Sequence, residues 1–252
     1  MILATTTSTY DSGLLDVLIP DFEEDTGYQV KPIAAGTGKA LAMGERGEAD
    51  VLLVHAPSAE RKLLDGGAIV TRILVMHNLF AIVGPASDPA GIKGKGSAAE
   101  ALRQIAERES LFISRGDDSG THKMEKSLWT KAAVEPSGAW YQEAGQGMGA
   151  TLGIASEKSA YTLTDRGTYL SLKKNLQLEP MLDTNSALLN VYSVLLVNAD
   201  RYPRVNEDGA KAFADYLVAP DTQTEIGKFG VDKFGEPLFI PDAGKNEDEL
   251  AR

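Results

Sequence analysis

Within its first 67 residues the chain repeats one order of signals: an apolar extended run, a turn of small polar residues, then apolar positions at helical spacing. Met1 to Ala4 lead through Thr5-Thr6-Thr7-Ser8-Thr9 into a helix carrying Leu14, Leu15, Leu18 and Phe22, which Asp25-Thr26-Gly27 stops. Gln29 to Ala34 lead through Gly36-Thr37-Gly38-Lys39 into Ala40, Leu41 and Met43. Ala49 to Val54 end in His55-Ala56-Pro57-Ser58 and a helix closed by Gly66-Gly67. Strands alternating with helices in this way predict a parallel α/β sheet, since parallel neighbours need a crossover connection. Ligands of such sheets sit beyond the carboxyl ends of the strands, where all three turns are predicted to lie.

A second body is predicted after Leu79–Pro85, an extended run broken by Gly84-Pro85 and followed by a Gly-, Pro- and Lys-rich stretch to Gly96. Helices are expected around Ala98–Arg108 and from the Ser119 region to Ala133. Gly145–Thr151 reads as a helix entrance, and Tyr161–Thr164 leads into a short helix at Asp165–Leu170. The apolar run Asn190–Val197 reads as the return, with helices at Glu207–Val218 and Asp221–Phe229. The division expected is therefore a discontinuous lobe of residues 1–83 plus 191–252 and a second lobe of 84–190. The charged residues Lys245 to Arg252 are expected to fray.

The most informative turn is Ser114-Arg115-Gly116-Asp117-Asp118-Ser119-Gly120-Thr121-His122, between the apolar Leu111-Phe112-Ile113 and a helix carrying Met124 and Leu128. With Ser119 or Thr121 near the N-cap, several backbone N–H groups have no partner within the helix, and the helix dipole adds partial positive charge. Arg115 adds a planar fork of donors, and the hydroxyls add more. The alternative is a well-capped helix with a surface arginine. The functional reading is a site for a small tetrahedral dianion.

Composition narrows the partners. Lys+Arg number 25 against Asp+Glu 36, a formal net charge of −11, which argues against nucleic acid or an anionic membrane as partner. An anion must then be held at short range, within a Debye length of about 10 Å. There is no cysteine, hence no disulfide framework or thiolate metal site. No stretch has the length of a transmembrane helix, and Met1 runs into the first strand without a basic leader. Either the chain is cytosolic or its leader has been removed.

Other motifs fail on chemistry. A P-loop at Gly38-Lys39 needs glycine where Ile33 stands and Ser or Thr where Ala40 stands. Ser119 and His122 with Asp117 or Asp118 suggest a hydrolase triad, but triad members converge in space rather than along one turn. An enzyme on a two-lobed fold is the rival of another class. Arg115-Gly116-Asp117 also spells an adhesion tripeptide, which burial in a cleft would hide. His55, His77 and His122 lack metal-ligand spacing, so no metal or other cofactor is expected. Asp117 and Asp118 are read as orienting Arg115 or the turn, and Trp129 and Trp140 as core.

Taken together, Thr5–Thr9, Gly36-Thr37-Gly38, Val54-His55-Ala56-Pro57, Ser114–His122, Gly147–Thr151 and Thr164–Tyr169 resemble the type II periplasmic binding proteins of ATP-binding-cassette importers. The tungstate-binding subgroup is the nearest likeness, with molybdate and phosphate binders as relatives. The resemblance implies two α/β lobes joined by two crossover strands, with the anion buried in the cleft between them on closure. It also implies a monomer, periplasmic or anchored at the cell surface, that delivers tungstate (molybdate second) to an ABC permease. Phosphate, sulfate or another tetrahedral oxyanion remains the alternative cargo.

The implied ligands are Thr7, Ser8 and Thr37 from one lobe, and from the other Arg115, Ser119, Gly120, Thr121, Met148, Gly149 and Thr164. Met148 and Gly149 would act through backbone N–H groups. One full charge on Arg115 and roughly half a unit per helix N-terminus sum to about +2.5 for three or four termini, enough to balance a dianion. Phosphate binders of this type carry an aspartate where this chain has His55. That residue is therefore the candidate for selectivity, because tungstate and molybdate need donors only.

Overall fold

The computed structural model describes residues 1–183 and 186–250. The chain forms two packed units, Met1–His77 with Val191–Glu249, and a second built on Asn78–Asn190.

The first unit begins with β1 (Ile2–Thr6), α1 (Thr7–Asp11), α2 (Leu15–Thr26), β2 (Lys31–Ala35), α3 (Thr37–Glu45), β3 (Val51–Val54) and α4 (Pro57–Asp65). Strand β1 pairs in parallel with both β2 and β3, so the three predicted strand–turn–helix repeats do build a parallel core. Burial follows periodicity: α2 hides Leu15, Leu18, Ile19 and Phe22, spaced along one face, and ends at Gly27 with φ 74°. All four residues of β3 are buried, which is why it reads as an unbroken apolar run.

Strand β4 (Ile69–Gly84) starts well before the expected run at Leu79. Its first half carries the exposed Val70 and the partly exposed Thr71, Arg72 and Ile73, and a strand with one wet face lacks the continuous apolar signature. The chain passes from the first unit to the second within β4, at His77/Asn78.

The second unit contains α5 (Ala98–Glu107), β5 (Phe112–Ser114), α6 (Gly120–Lys131), β6 (Tyr141–Glu143), α7 (Met148–Glu157), β7 (Thr162–Asp165), α8 (Arg166–Leu172) and β8 (Glu179–Leu182). Strands β5 and β6 are parallel, and a parallel bridge joins Phe112 to Tyr161 at the start of β7. Both β7 and β8 run antiparallel to β4. One core cluster gathers Phe112, Leu128, Trp129, Tyr161 and Leu163, and a second gathers Ile113, Met148, Leu152 and Tyr169. Trp129 is buried as expected of a core residue, while Trp140 is only partly so.

The chain returns through β9 (Leu189–Val197), then α9 (Glu207–Val218), α10 (Pro220–Lys228), α11 (Val231–Phe234), β10 (Ile240–Pro241) and α12 (Glu247–Leu250). The first unit's strands lie in the order β10-β4-β9-β3-β1-β2, with β9 antiparallel to β3. Glu247 does not fray: it pairs with Arg61 at 2.9 Å and Arg72 at 2.8 Å. The last two residues of that expectation, Ala251 and Arg252, lie outside the described residues. No helix among the described residues is long and apolar enough to cross a membrane.

Candidate functional site

In the first unit, register alone brings three turns to one edge. Thr6 pairs with Ala35 across β1–β2, and Thr5 with Leu53 across β1–β3. The residues that follow, Thr7-Ser8, Gly36-Thr37 and His55, therefore leave the same carboxyl edge of the sheet. The hydroxyl run does not form one turn as expected. Thr5 and Thr6 finish the strand, with the Thr5 hydroxyl donating to Leu53 O at 2.8 Å, and Thr7 begins α1.

Thr6 organises this edge, although no sequence signal distinguishes it from the neighbouring hydroxyl residues. Its Oγ1 accepts the Thr9 N–H at 3.3 Å as the N-cap of α1 and lies 2.6 Å from Thr9 Oγ1, 3.2 Å from Ser8 Oγ and 3.0 Å from His55 Nε2. Ser8 Oγ is itself 3.4 Å from His55 Nε2. His55 is buried, its ring tilted against Tyr192 with centroids 4.7 Å apart. It thus adjoins the hydroxyls that would face an anion. Thr7 is exposed, and Thr37 is buried at the first position of α3, behind the N-cap Gly36.

The third turn is spent internally. Pro57 has no N–H, and the Ala56 N–H donates to the fully buried Glu60 at 2.5 Å. Glu60 is paired in turn with Arg72 at 2.8 Å. At the entrance of α4 the N-cap amide is therefore already paired, and the count of about +2.5 rests on the entrances of α1, α3, α6 and α7.

In the second unit the parallel β5 and β6, with β7 bridged to β5, send the entrances of α6, α7 and α8 to one edge. At α6, Ser119 is the N-cap: its Oγ accepts the His122 N–H at 3.3 Å, leaving the hydroxyl proton to give. Thr121 Oγ1 accepts from Arg115 Nη1 at 3.4 Å and likewise keeps its proton. The N–H groups of Gly120 and Thr121 come before any helical acceptor. Gly116, at φ 63°, is required: an added Cβ would stand 2.8 Å from Glu143 Cβ.

Arg115 is only 9% exposed. Its Nε lies 2.8 Å from Asp117 Oδ2, an ion-pair contact without hydrogen-bond alignment, so part of its charge is already compensated. The other Asp117 oxygen, Oδ1, accepts the Ser119 N–H at 3.1 Å. Asp117 thus orients both Arg115 and the turn.

Glu125, which nothing in the sequence marked, supports this turn from α6. Its Oε2 accepts from Ser114 Oγ at 2.9 Å, and its Oε1 from Trp129 Nε1 at 3.1 Å and Tyr141 Oη at 2.7 Å. Burial pushes its carboxyl above the usual carboxylate range despite these donors.

At α7 the N-cap is Gly147, with no side-chain cap, and the N–H groups of Met148 and Gly149 open the helix. The buried Thr164 hydroxyl donates to Asp165 O at 3.0 Å. The triad reading fails on geometry as well. Ser119 Oγ meets the backbone of His122, while the imidazole accepts the Asp118 N–H at 3.0 Å. His77 pairs with the buried Asp242 at 2.6 Å. Chemically, each edge offers hydroxyl and amide protons, and the second adds a buried guanidinium.

A family model described as a PBP superfamily domain matches residues 1–221. The tungstate-binding protein TupA of Peptoclostridium acidaminophilum is 49% identical over 247 residues, 97% of this chain and 86% of that protein. The structure of the tungstate-binding protein TupA from Desulfovibrio alaskensis G20 aligns with TM-score 0.87 at 47% identity, covering 96% of this chain and 98% of that one. A structure titled as the tungstate ABC transporter from Geobacter sulfurreducens aligns with TM-score 0.81 at 47% identity, covering 91% and 98%. This chain belongs to the PBP superfamily and, within it, to the family of the TupA proteins.

Proposed function

We propose that this protein is the solute-binding component of an ABC importer for tungstate, with molybdate second, and that it performs no chemistry on its cargo. The observation that carries the reading is the Arg115 turn. A nearly buried guanidinium, two hydroxyls with protons to give and the first helix N–H groups gather donors at one turn. A fully deprotonated tetrahedral dianion suits that set. A neutral sugar or amino acid would leave donors unsatisfied, at about 1–3 kcal/mol per buried group. The proposed ligands are Arg115, Ser119, Gly120 and Thr121, the N–H groups of Met148 and Gly149, and Thr7, Ser8 and Thr37 of the other unit. Residues 1–83 with 191–252 and 84–190 are proposed as the functional lobes.

The relatives' names support the same reading, as does the acidic net charge of −11, which disfavours nucleic acid. The protein is proposed to act as a monomer outside the cytoplasmic membrane, handing its cargo to the permease. Titration calorimetry with tungstate, molybdate, sulfate, phosphate and chloride tests the assignment. Tungstate should bind most tightly, followed by molybdate. Equal affinity for chloride and tungstate would remove the oxyanion reading.

A further inference from the structure

We propose that His122 is a positioning residue of the anion turn: held in its neutral Nε2–H tautomer, it fixes the backbone of Asp118 and thereby aims the donors of Ser119, Gly120 and Thr121. The inference rests on the oxyanion reading of this turn, and the imidazole acts through Asp118 rather than on the anion.

The geometry is a ring of local bonds. Asp118 N–H donates to His122 Nδ1 at 3.0 Å, His122 N–H donates to Ser119 Oγ at 3.3 Å, and Ser119 N–H donates to Asp117 Oδ1 at 3.1 Å. The arrangement resembles a capping box in which the third helical residue reaches back past the N-cap, with imidazole in place of a glutamate. Asp118 needs such a hold, because its φ of 57° lies in the left-handed region that non-glycine residues seldom occupy.

The contact also decides the tautomer. An amide N–H is a donor only, so Nδ1 must be bare and the ring proton must sit on Nε2. That proton has no partner: Nε2 is buried without a hydrogen bond among the described residues, and the residue is 4% exposed. Leaving a buried donor unpaired is unfavourable, so the side chain is held by what Nδ1 does. The other tautomer would set two N–H groups against each other and release Asp118 from its left-handed conformation.

Two measurements test this. Nitrogen NMR on protein labelled at histidine reads the tautomer directly, without ligand. His122 should show a bare Nδ1 and a protonated Nε2, and a protonated Nδ1 or an averaged pair of tautomers overturns the proposal. Calorimetry with tungstate then compares His122→Leu, which keeps volume but lacks an acceptor, with His122→Asn, whose amide oxygen can take the place of Nδ1. The leucine variant should lose about fivefold to tenfold in affinity, the effect expected from a lost cap, and asparagine should restore most of it. Melting curves without ligand establish that both variants are folded. Wild-type affinity in the leucine variant, or equal losses in both, overturns the positioning role. Should wild type bind no tungstate at all, the functional reading fails, while the nitrogen spectrum still decides the tautomer.

Discussion

The Tyr141 hydroxyl donates to Glu125 Oε1 at 2.7 Å, tying β6 to the helix that carries the Arg115 turn. Desolvation dominates at this carboxylate and raises its pKa in the folded state. Its contribution to stability is therefore fully present below the unfolded pKa and is lost as pH rises through the folded value. Glu125→Gln removes that titration, so wild type should lose stability relative to the variant as pH rises above the usual carboxylate range. Urea unfolding of both proteins across this range checks it. A gap moving the opposite way would mean that the three donors, not burial, set the charge state.

Arg115→Ala should weaken tungstate binding by about 2–5 kcal/mol, because it removes the turn's only guanidinium from a nearly buried position and leaves Asp117 uncompensated. Arg115→Lys should recover only part of this, since a point charge cannot span both Asp117 and Thr121 as the planar fork does. Calorimetry at fixed salt decides it. An alanine variant with unchanged affinity moves the site elsewhere.

His55→Asp should raise phosphate affinity relative to sulfate and weaken tungstate. A donor-only site buries the hydroxyl of monohydrogen phosphate unpaired, at about 1–3 kcal/mol, or roughly tenfold to a hundredfold. An aspartate beside Thr6 and Ser8 supplies an acceptor for that proton and repels a dianion lacking one. Affinities of both proteins for the three anions test this. Wild type binding phosphate as tightly as tungstate would end the argument.

Tungstate at about a thousand times its dissociation constant should stabilise the fold by roughly 4 kcal/mol. For a single unfolding transition in a chain of this size, that is a melting shift of about 10 °C. Calorimetric scans with tungstate and with chloride provide the comparison, and identical curves contradict oxyanion binding.

Local order was legible from the chain alone. Glycines, hydroxyls and helical spacing identified the turns at Thr37, Ser119 and Gly147, since caps and helix starts depend on residues within a few positions of each other. Continuous burial made β3 and the second half of β4 readable for the same reason. The parallel register then followed from strands alternating with helices. What tertiary structure decided is how protons are distributed. Thr6 meets His55 across 49 residues, and Tyr141 meets Glu125 across 16, by pairings that only sheet register and helix packing create. The Thr164 hydroxyl donates to the neighbouring carbonyl, and the Ala56 amide at the α4 entrance to Glu60, because each polar group takes the partner that its backbone path brings within about 3 Å. Residue type tells which groups can donate. Which of them still have a proton to give depends on neighbours that the linear order does not contain.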